Sequence, residues 1–467
     1  MLRLRSPLRA SFAAVILLGS VACGGERDAP ASTAAPRTEP SAVASVAPAA
    51  DAPSAATAAA APSASPTAEA PKGLPKDLNV LVLSIDSLRA DRMAAAGYDR
   101  EVMPHLNALA DQSVEYTRFY ATSSFTSQTL GGFLAGRYPS ELERSGYFFG
   151  VYPESELLFP ELLQKQGVRT MSAHAHFYFA KEKAGFHQGF DEYELIPGLK
   201  KNNTTDENIT SPAHTEIILR HLGSEANTKG RFFAWYHLLD PHDQYMGHPE
   251  GKSFGRSAAQ LYDGELYFVD MHLKKIFDFV DAQPWGKRTM IVVTADHGEA
   301  FGEKKMYRHG FELWNVITHV PLVIRAPGIT PRKIDTPRGM LDLTQTILEA
   351  YGVPKEPNMH GTSLVPELYG GDTPPRDVVI ELTRTSDNDR RRALVRGDYK
   401  IIEFGDADAF QLYDLKADPK EAKDLARVEK DKLAEMRKAL DEAASKIKER
   451  CPKMTEKLKG RKKGKPC

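Results

Sequence analysis

The chain has 467 residues, 42% of them hydrophobic and 26% charged, enough apolar side chain for a large core. Its 61 Lys and Arg against 62 Asp and Glu exclude a nucleic-acid or polyanion binder that works through a basic excess. Three cysteines exclude a disulfide-stapled scaffold, and none belongs to a Cys-x-x-Cys pair of the zinc or redox kind.

Taken in chain order, Arg3, Arg5 and Arg9 precede an apolar stretch from Phe12 to Leu18, too short to span a bilayer. Gly19, Ser20, Val21 and Ala22 then lead into Cys23, the layout of a secretory signal whose end resembles a bacterial lipobox, with Ser20 where Leu is usual. Residues 1–23 are therefore expected to be a lipoprotein-type signal, exporting the protein to the cell envelope with Cys23 lipid-anchored to a membrane. Residues 24–76 read as a flexible tether: between Ala31 and Ala70 there are 18 Ala, 6 Pro and 10 Ser or Thr, and no aromatic residue, Leu or Ile. Such a segment cannot bury enough apolar surface to offset its chain entropy.

From Asp77 onward strand and helix patterns alternate. Leu78 to Ile85 is a nearly continuous apolar run, as a strand buried on both faces requires. Helical patterns follow at Pro104 to Ser113 and Leu157 to Gln166, a second inner strand at Arg231 to Leu239, a helix at Leu261 to Val280 and a third strand at Thr289 to Thr294. This succession predicts an α/β catalytic domain over residues 77–374 with a mainly parallel sheet. Over residues 375–450 the segments Val378 to Leu382, Arg392 to Val395, Tyr399 to Phe404 and Gln411 to Leu415 predict a small antiparallel sheet. Leu433, Met436, Leu440 and Ile447 then mark an amphipathic helix. Residues 451–467 form a basic tail with seven Lys or Arg in the last 16 positions. In an oxidising compartment Cys451 and Cys467 would close a loop of about 15 residues, worth roughly 3 kcal/mol in the chain-entropy model.

The residues that carry chemistry gather at strand ends. Asp86 closes the first strand in IDSLRADR, where ligands of open parallel sheets collect. The third strand ends in TADHGEAFGE, and Asp296 and His297, leaving the strand into a loop at Gly298, can both face one metal ion. Between them, ATSSFTSQTLGGFLAGRYPS places hydroxyl residues ahead of a Gly-rich apolar stretch, so that a hydroxyl at the start of a helix would sit beside unpaired N–H groups. His237, Asp240 and His242 in YHLLDPHDQY, His309 in YRHGFE, and His174 and His176 in SAHAHF complete the set.

In this order the blocks resemble the sulfatase and alkaline phosphatase superfamily, in its sulfatase-like branch. Asp86 matches the first metal carboxylate, AGRYPS the Thr-Gly-Arg-Tyr-Pro signature, and GFDEY, DPHDQY, DHGEAFGE, HVPLVI, MHGTSL and LYDLKADP later blocks, over about residues 78 to 427. The resemblance implies an alkaline-phosphatase-like α/β/α sandwich with a mainly parallel central sheet. It also implies a metal-dependent hydrolase of phosphate or sulfate esters with a covalent intermediate. The family's nucleophile lies ten positions before the Gly of Gly-Arg, which is Thr126 before Gly136. True sulfatases carry there Cys or Ser followed by x-Pro-x-Arg, converted to formylglycine, whereas this chain reads Thr126-Ser127-Gln128-Thr129-Leu130. Ser87 stands where sulfatases usually have a second Asp. The implied metal ligands are Asp86, Thr126, Asp296 and His297, and an imidazole favours one divalent zinc or manganese ion over calcium. His242 and His309 resemble the family's substrate-side catalytic histidines, and Asp240 with both of them is a candidate second metal site. A phosphotransferase acting on an envelope alcohol and a non-catalytic envelope protein of this fold remain alternative readings.

Overall fold

The computed structural model describes residues 73–181, 183–199, 209–385, 388–405 and 408–452. The segment expected to be a signal peptide with Cys23, the expected tether up to residue 72, and Cys467 with the tail from residue 453 lie outside the described residues.

In chain order the strands are β1 (Asn79–Ile85), β2 (Val114–Tyr120), β3 (Arg169–His174), β4 (Glu192–Leu195), β5 (Phe232–Leu238), β6 (Thr289–Ala295), β7 (Ala300–Phe301), β8 (Tyr307–Arg308), β9 (His319–Arg325), β10 (Arg332–Ile334), β11 (Arg338–Gly339), β12 (Val378–Leu382), β13 (Arg391–Arg396), β14 (Tyr399–Phe404) and β15 (Ala409–Asp414). The main sheet runs β10-β2-β9-β6-β1-β5-β3-β4, with β11 also on β2; β9 is antiparallel to both of its neighbours and every other pair is parallel. β1, β5 and β6 are buried at every position, as successive Val, Leu, Ile and Phe demand.

Two groups of helices cover the sheet. Pro104–Ala110, Ser211–Gly223 and Ala258–Ala282 pack together, and Thr126–Ala135, Phe159–Lys165 and Met340–Ala350 form the other group. Helix Ala258–Ala282 starts at a capping box in which Ser257 accepts from the Gln260 N–H and Gln260 reaches back to Ser257. Its apolar stripe of Leu266, Val269, Leu273, Ile276 and Val280 is buried as the spacing predicts. Asp270 in that stripe is buried too, its carboxylate accepting the His105 and Leu106 N–H groups at 2.7 and 2.8 Å and so capping helix Pro104–Ala110.

β12 to β15 form the smaller sheet, consecutive and antiparallel. Alternation along its strands splits the apolar residues between two faces. Val379, Leu394, Ile401 and Leu412 meet Met436 and Leu440 of helix Lys430–Ala444, whereas Ile380, Val395, Ile402 and Tyr413 pack with Tyr120, Phe125 and Leu313. Ile447, expected on that helix, follows its end yet remains buried in the first cluster. Among the described residues no helix is long and apolar enough to cross a membrane.

Candidate active site

Four segments converge at the carboxyl end of the main sheet. Asp86 follows β1 and Asp296 and His297 follow β6; all three are at most 1% exposed, and each offers a ligand atom within 4.8 Å of the other two. Next to Asp86, Ser87 adopts a left-handed φ of 61°, a conformation costing an L residue of order 1–3 kcal/mol that is tolerated where a site needs it. There Ser87 N–H donates to Asp296 Oδ1 at 3.3 Å and its hydroxyl donates to Asp86 Oδ1 at 2.8 Å, so the residue that replaces the second Asp ties the remaining carboxylates together. Gly298, expected to permit a turn, serves a close approach instead, because a Cβ there would lie 2.2 Å from the Val316 carbonyl oxygen.

Thr126 opens the buried helix Thr126–Ala135. Its hydroxyl lies 2.9 Å from His297 Nε2, and His297 Nδ1 is 2.9 Å from the Gly298 carbonyl, which holds the ring with Nε2 toward the threonine. The four residues read from sequence as metal ligands are thus neighbours. Gln128, where the formylglycine motif would place Pro, accepts the Thr383 N–H at 2.9 Å and anchors the helix to the end of β12.

His309 stacks on His297, centroids 4.0 Å apart, and stands 3.3 Å from Glu299 Oε1 through Nδ1; the His242 ring meets it edge-on at 5.2 Å. Both line a cavity of about 260 Å³ that opens over Asp86 and Thr126. Asp240 is directed elsewhere. Its carboxylate accepts the Thr210 and Ser211 N–H groups at 2.6 and 2.8 Å, capping helix Ser211–Gly223, and Asp86, Asp296 and His297 form the one cluster suited to a metal among the described residues. The candidate second site of Asp240, His242 and His309 is therefore not assembled among the described residues.

Two residues without an assigned role in the sequence reading belong to the site. His237 on β5, in register with Ser84, places Nε2 3.1 Å from Asp86 Oδ2 and 3.8 Å from Asp296 Oδ2, while Ser84 Oγ, which accepts from Trp235 Nε1, holds its Nδ1 at 2.9 Å. Its side chain lies in a strand interior, where an apolar run hides it. Glu299 is buried behind His309, and Arg89 donates to its carbonyl at 2.9 Å and to Glu303 at 2.7 Å, fixing the loop. His174, by contrast, is a packing residue, stacked 4.4 Å from Phe179 and edge-on to Trp235 at 4.7 Å, and burial pushes its pKa well down.

The electrostatics are those of buried like charges. Burial, and then the Asp86 charge, push Asp296 up, whereas burial of Asp86 is outweighed by His242, His237 and His297, which hold its carboxyl well below the usual range. For His237 the cost of burying its charge is outweighed by Asp296 and Asp86, and its pKa rises. Asp296 Oδ2 is buried and accepts no hydrogen bond. Two buried carboxylates, an imidazole and a hydroxyl, with Asp296 Oδ2 lacking a hydrogen bond and only the His297 and His237 rings near it at 3.2 and 3.8 Å, fit a divalent cation.

Comparison with known proteins places this geometry. The family model described as Sulfatase matches residues 78–353, and that of the N-sulphoglucosamine sulphohydrolase C-terminal region matches residues 302–450. Choline-sulfatase of Rhizobium meliloti is 23% identical over 424 residues, covering 74% of this chain and 82% of that protein. A candidate sulfatase of Bacteroides thetaiotaomicron superposes with a TM-score of 0.68 at 18% identity, covering 84% and 98% of the two chains. Phosphonate monoester hydrolase of Agrobacterium radiobacter gives 0.63 at 19% identity, covering 79% and 96%. The fold is the alkaline-phosphatase-like sandwich with its small antiparallel sheet. Family and neighbours define a hydrolase acting on ester bonds, in a family that generally uses a divalent metal. The chain belongs to the sulfatase family.

Proposed function

We propose that the protein hydrolyses phosphate or sulfate esters with Thr126 as nucleophile, through a covalent threonine ester. The observation that carries this is the Thr126 hydroxyl at 2.9 Å from His297 Nε2, beside the paired carboxylates of Asp86 and Asp296. Asp86, Asp296, His297 and Thr126 would hold one divalent ion, zinc or manganese over calcium because of the imidazole. When bound, such an ion lowers the pKa of a hydroxyl at the site and draws charge from the transferred group. Thr126, its hydroxyl proton released to solvent, attacks phosphorus or sulfur in line. The bond to the leaving oxygen breaks, His309 or His242 delivers a proton to that oxygen, and water then attacks the same atom to release the oxyanion and restore the threonine. Glu299 holds His309 by its Nδ1 and so aims the other ring nitrogen at the cavity.

Because threonine is not convertible to formylglycine, phosphate esters are expected to turn over faster than sulfate esters. Acid-quenched single turnovers should yield a Thr126-containing peptide carrying phosphate or sulfate, and a chelator should abolish both activities. A labelled peptide from any other segment overturns the assignment of the nucleophile. We further propose that Cys23 is lipidated in the cell envelope, so that Cys23→Ser releases the protein into the soluble fraction; unchanged membrane partition overturns that reading.

A further inference from the structure

Above Thr126 the cavity wall is aromatic. Phe125, Phe148, Phe149, Tyr178, Phe179 and Phe311 line it, with Phe125 and Phe148 centroids 3.9 Å apart, Phe148 and Phe311 stacked at 5.8 Å, and Phe149 and Tyr178 at 5.4 Å. Gly310, at φ 86°, makes this packing possible, since a Cβ there would come within 3.1 Å of both Phe125 and Phe148. The wall extends to the surface. Among the described residues seven large hydrophobic side chains are exposed, and two of them, Phe149 and Phe311, line this cavity, with Tyr147, Val151 and Tyr307 close to them in the chain. Clustering of this kind marks a binding surface, whereas scattered single side chains do not.

The wall has little to offer a sugar. Its one hydroxyl, that of Tyr178, donates to the Gly150 carbonyl. Arg308 and Asp243 pair with each other at 2.9 Å, and His176, which also lines the cavity, accepts the Tyr178 N–H on Nδ1 at 3.0 Å. A polyhydroxylated leaving group would give up its hydrogen bonds to water without replacement, at roughly 1–3 kcal/mol per group. The cavity, at about 260 Å³, also falls just below the roughly 300–1,000 Å³ of pockets for drug-sized ligands.

Resting on the proposed ester hydrolysis at Thr126, we infer that the substrate is the phosphate or sulfate ester of a small apolar alcohol, aryl in the first instance. Its ring is held between Phe149 and Phe311 while the oxyanion reaches Thr126. A series of 4-alkylphenyl esters from methyl to butyl tests this, because lengthening the alkyl group adds apolar surface with almost no change in leaving-group acidity. For the full-length protein kcat/KM should rise about threefold per methylene, and the ester of a sugar hydroxyl should be the poorer substrate. Phe149→Ser with Phe311→Ser should flatten the series and lower kcat/KM for the butyl ester at least tenfold; both side chains are partly exposed, so the fold is not at stake. Binding of 4-butylphenol, followed by calorimetry, reads the same wall without turnover.

Esters turned over with no dependence on alkyl length, or a preferred sugar ester, would overturn the inference and leave the Thr126 hydrolase standing. Phenol binding weakened by the double substitution, in a protein that turns over no ester, would support the apolar site and overturn the hydrolase. A length dependence untouched by the substitution, with loss of binding to phosphatidylglycerol vesicles, would assign the rim to a membrane surface and overturn the inference.

Discussion

At the floor of the cleft Asp86, Asp296 and His297 leave the ends of β1 and β6 and are at most 1% exposed, whereas at its mouth Phe149 and Phe311 ride on loops and are 41% and 44% exposed. The floor is polar where the surroundings are dry, and the mouth is apolar where the surroundings are wet. Each is costly on its own terms: buried carboxylates need a counter-charge, and exposed phenyl rings forfeit burial that the core would provide. On the proposed reading a cation offsets the first and an apolar ligand covers the second. The floor is held by backbone that the sheet register fixes, and the mouth by segments the sheet does not constrain, so reaction and substrate are encoded in different parts of the fold.

The sharpest way to break this comparison is at the floor. Thr126→Ala should lower kcat by at least about a thousandfold, some 4 kcal/mol in the barrier, with metal content unchanged by elemental analysis. Asp296→Ala should lose both activity and metal. A Thr126→Ala protein retaining a tenth of the wild-type rate would mean that the hydroxyl is a bystander, with Ser124 and Ser127 the next nucleophiles to test. Behind the floor, His309→Ala is expected to cost roughly a hundredfold or more with a poor leaving group and much less with 4-nitrophenol. Equal losses with both leaving groups would count against a proton donor and for a purely electrostatic part.

His237→Gln sharpens the comparison further. The imidazole holds Asp86 at 3.1 Å and is not among the residues that line the cavity, so its replacement should weaken metal binding roughly ten- to a hundredfold and leave kcat at saturating metal within a few-fold of wild type. Unaltered metal affinity with a reduced kcat would instead put His237 in contact with the reacting group.

How much of this was legible follows the same division. β1, β5 and β6 were readable because strands buried on both faces are written as apolar runs, and Asp86, Asp296 and His297 because they stand where those runs stop. β3, Arg-Thr-Met-Ser-Ala-His, escaped: it is buried through cross-strand bonds, such as Ser172 Oγ to the Trp235 carbonyl at 2.7 Å, and carries no hydrophobic pattern. β2 hides likewise behind Glu115 and Arg118. Asp240 stayed a mere candidate ligand because a helix cap and a metal ligand are the same carboxylate until the helix it caps is seen. The aromatic wall was invisible, since Phe148, Phe149 and Phe311 come from segments more than a hundred residues apart and only the fold brings them to one mouth.

The smallest effect on activity, and a control on the floor, is expected at Asp270. This carboxylate is as buried as Asp86 and Asp296 but has two backbone N–H groups for partners. Burial nevertheless outweighs those bonds and pushes its pKa from 3.8 up to about 7. Because the folded protein binds this proton more tightly than the unfolded chain does, the stability it contributes is fully present below about pH 4 and is lost as the pH rises through about 7. The full swing is at most about 4 kcal/mol. Asp270→Asn keeps one acceptor, presents an amide to the second N–H, and does not titrate. The variant should therefore be less stable than wild type at pH 5, by about 1–3 kcal/mol, and much closer to it at pH 8, with metal content and kcat unchanged. Glu265, also pushed up to about 7 by burial, keeps part of the slope in the variant. Urea melts at the two pH values measure the difference directly. Parallel losses at pH 5 and pH 8 would show that Asp270 is ionised throughout. A loss of metal would show that the floor extends beyond the strand ends into the helix layer.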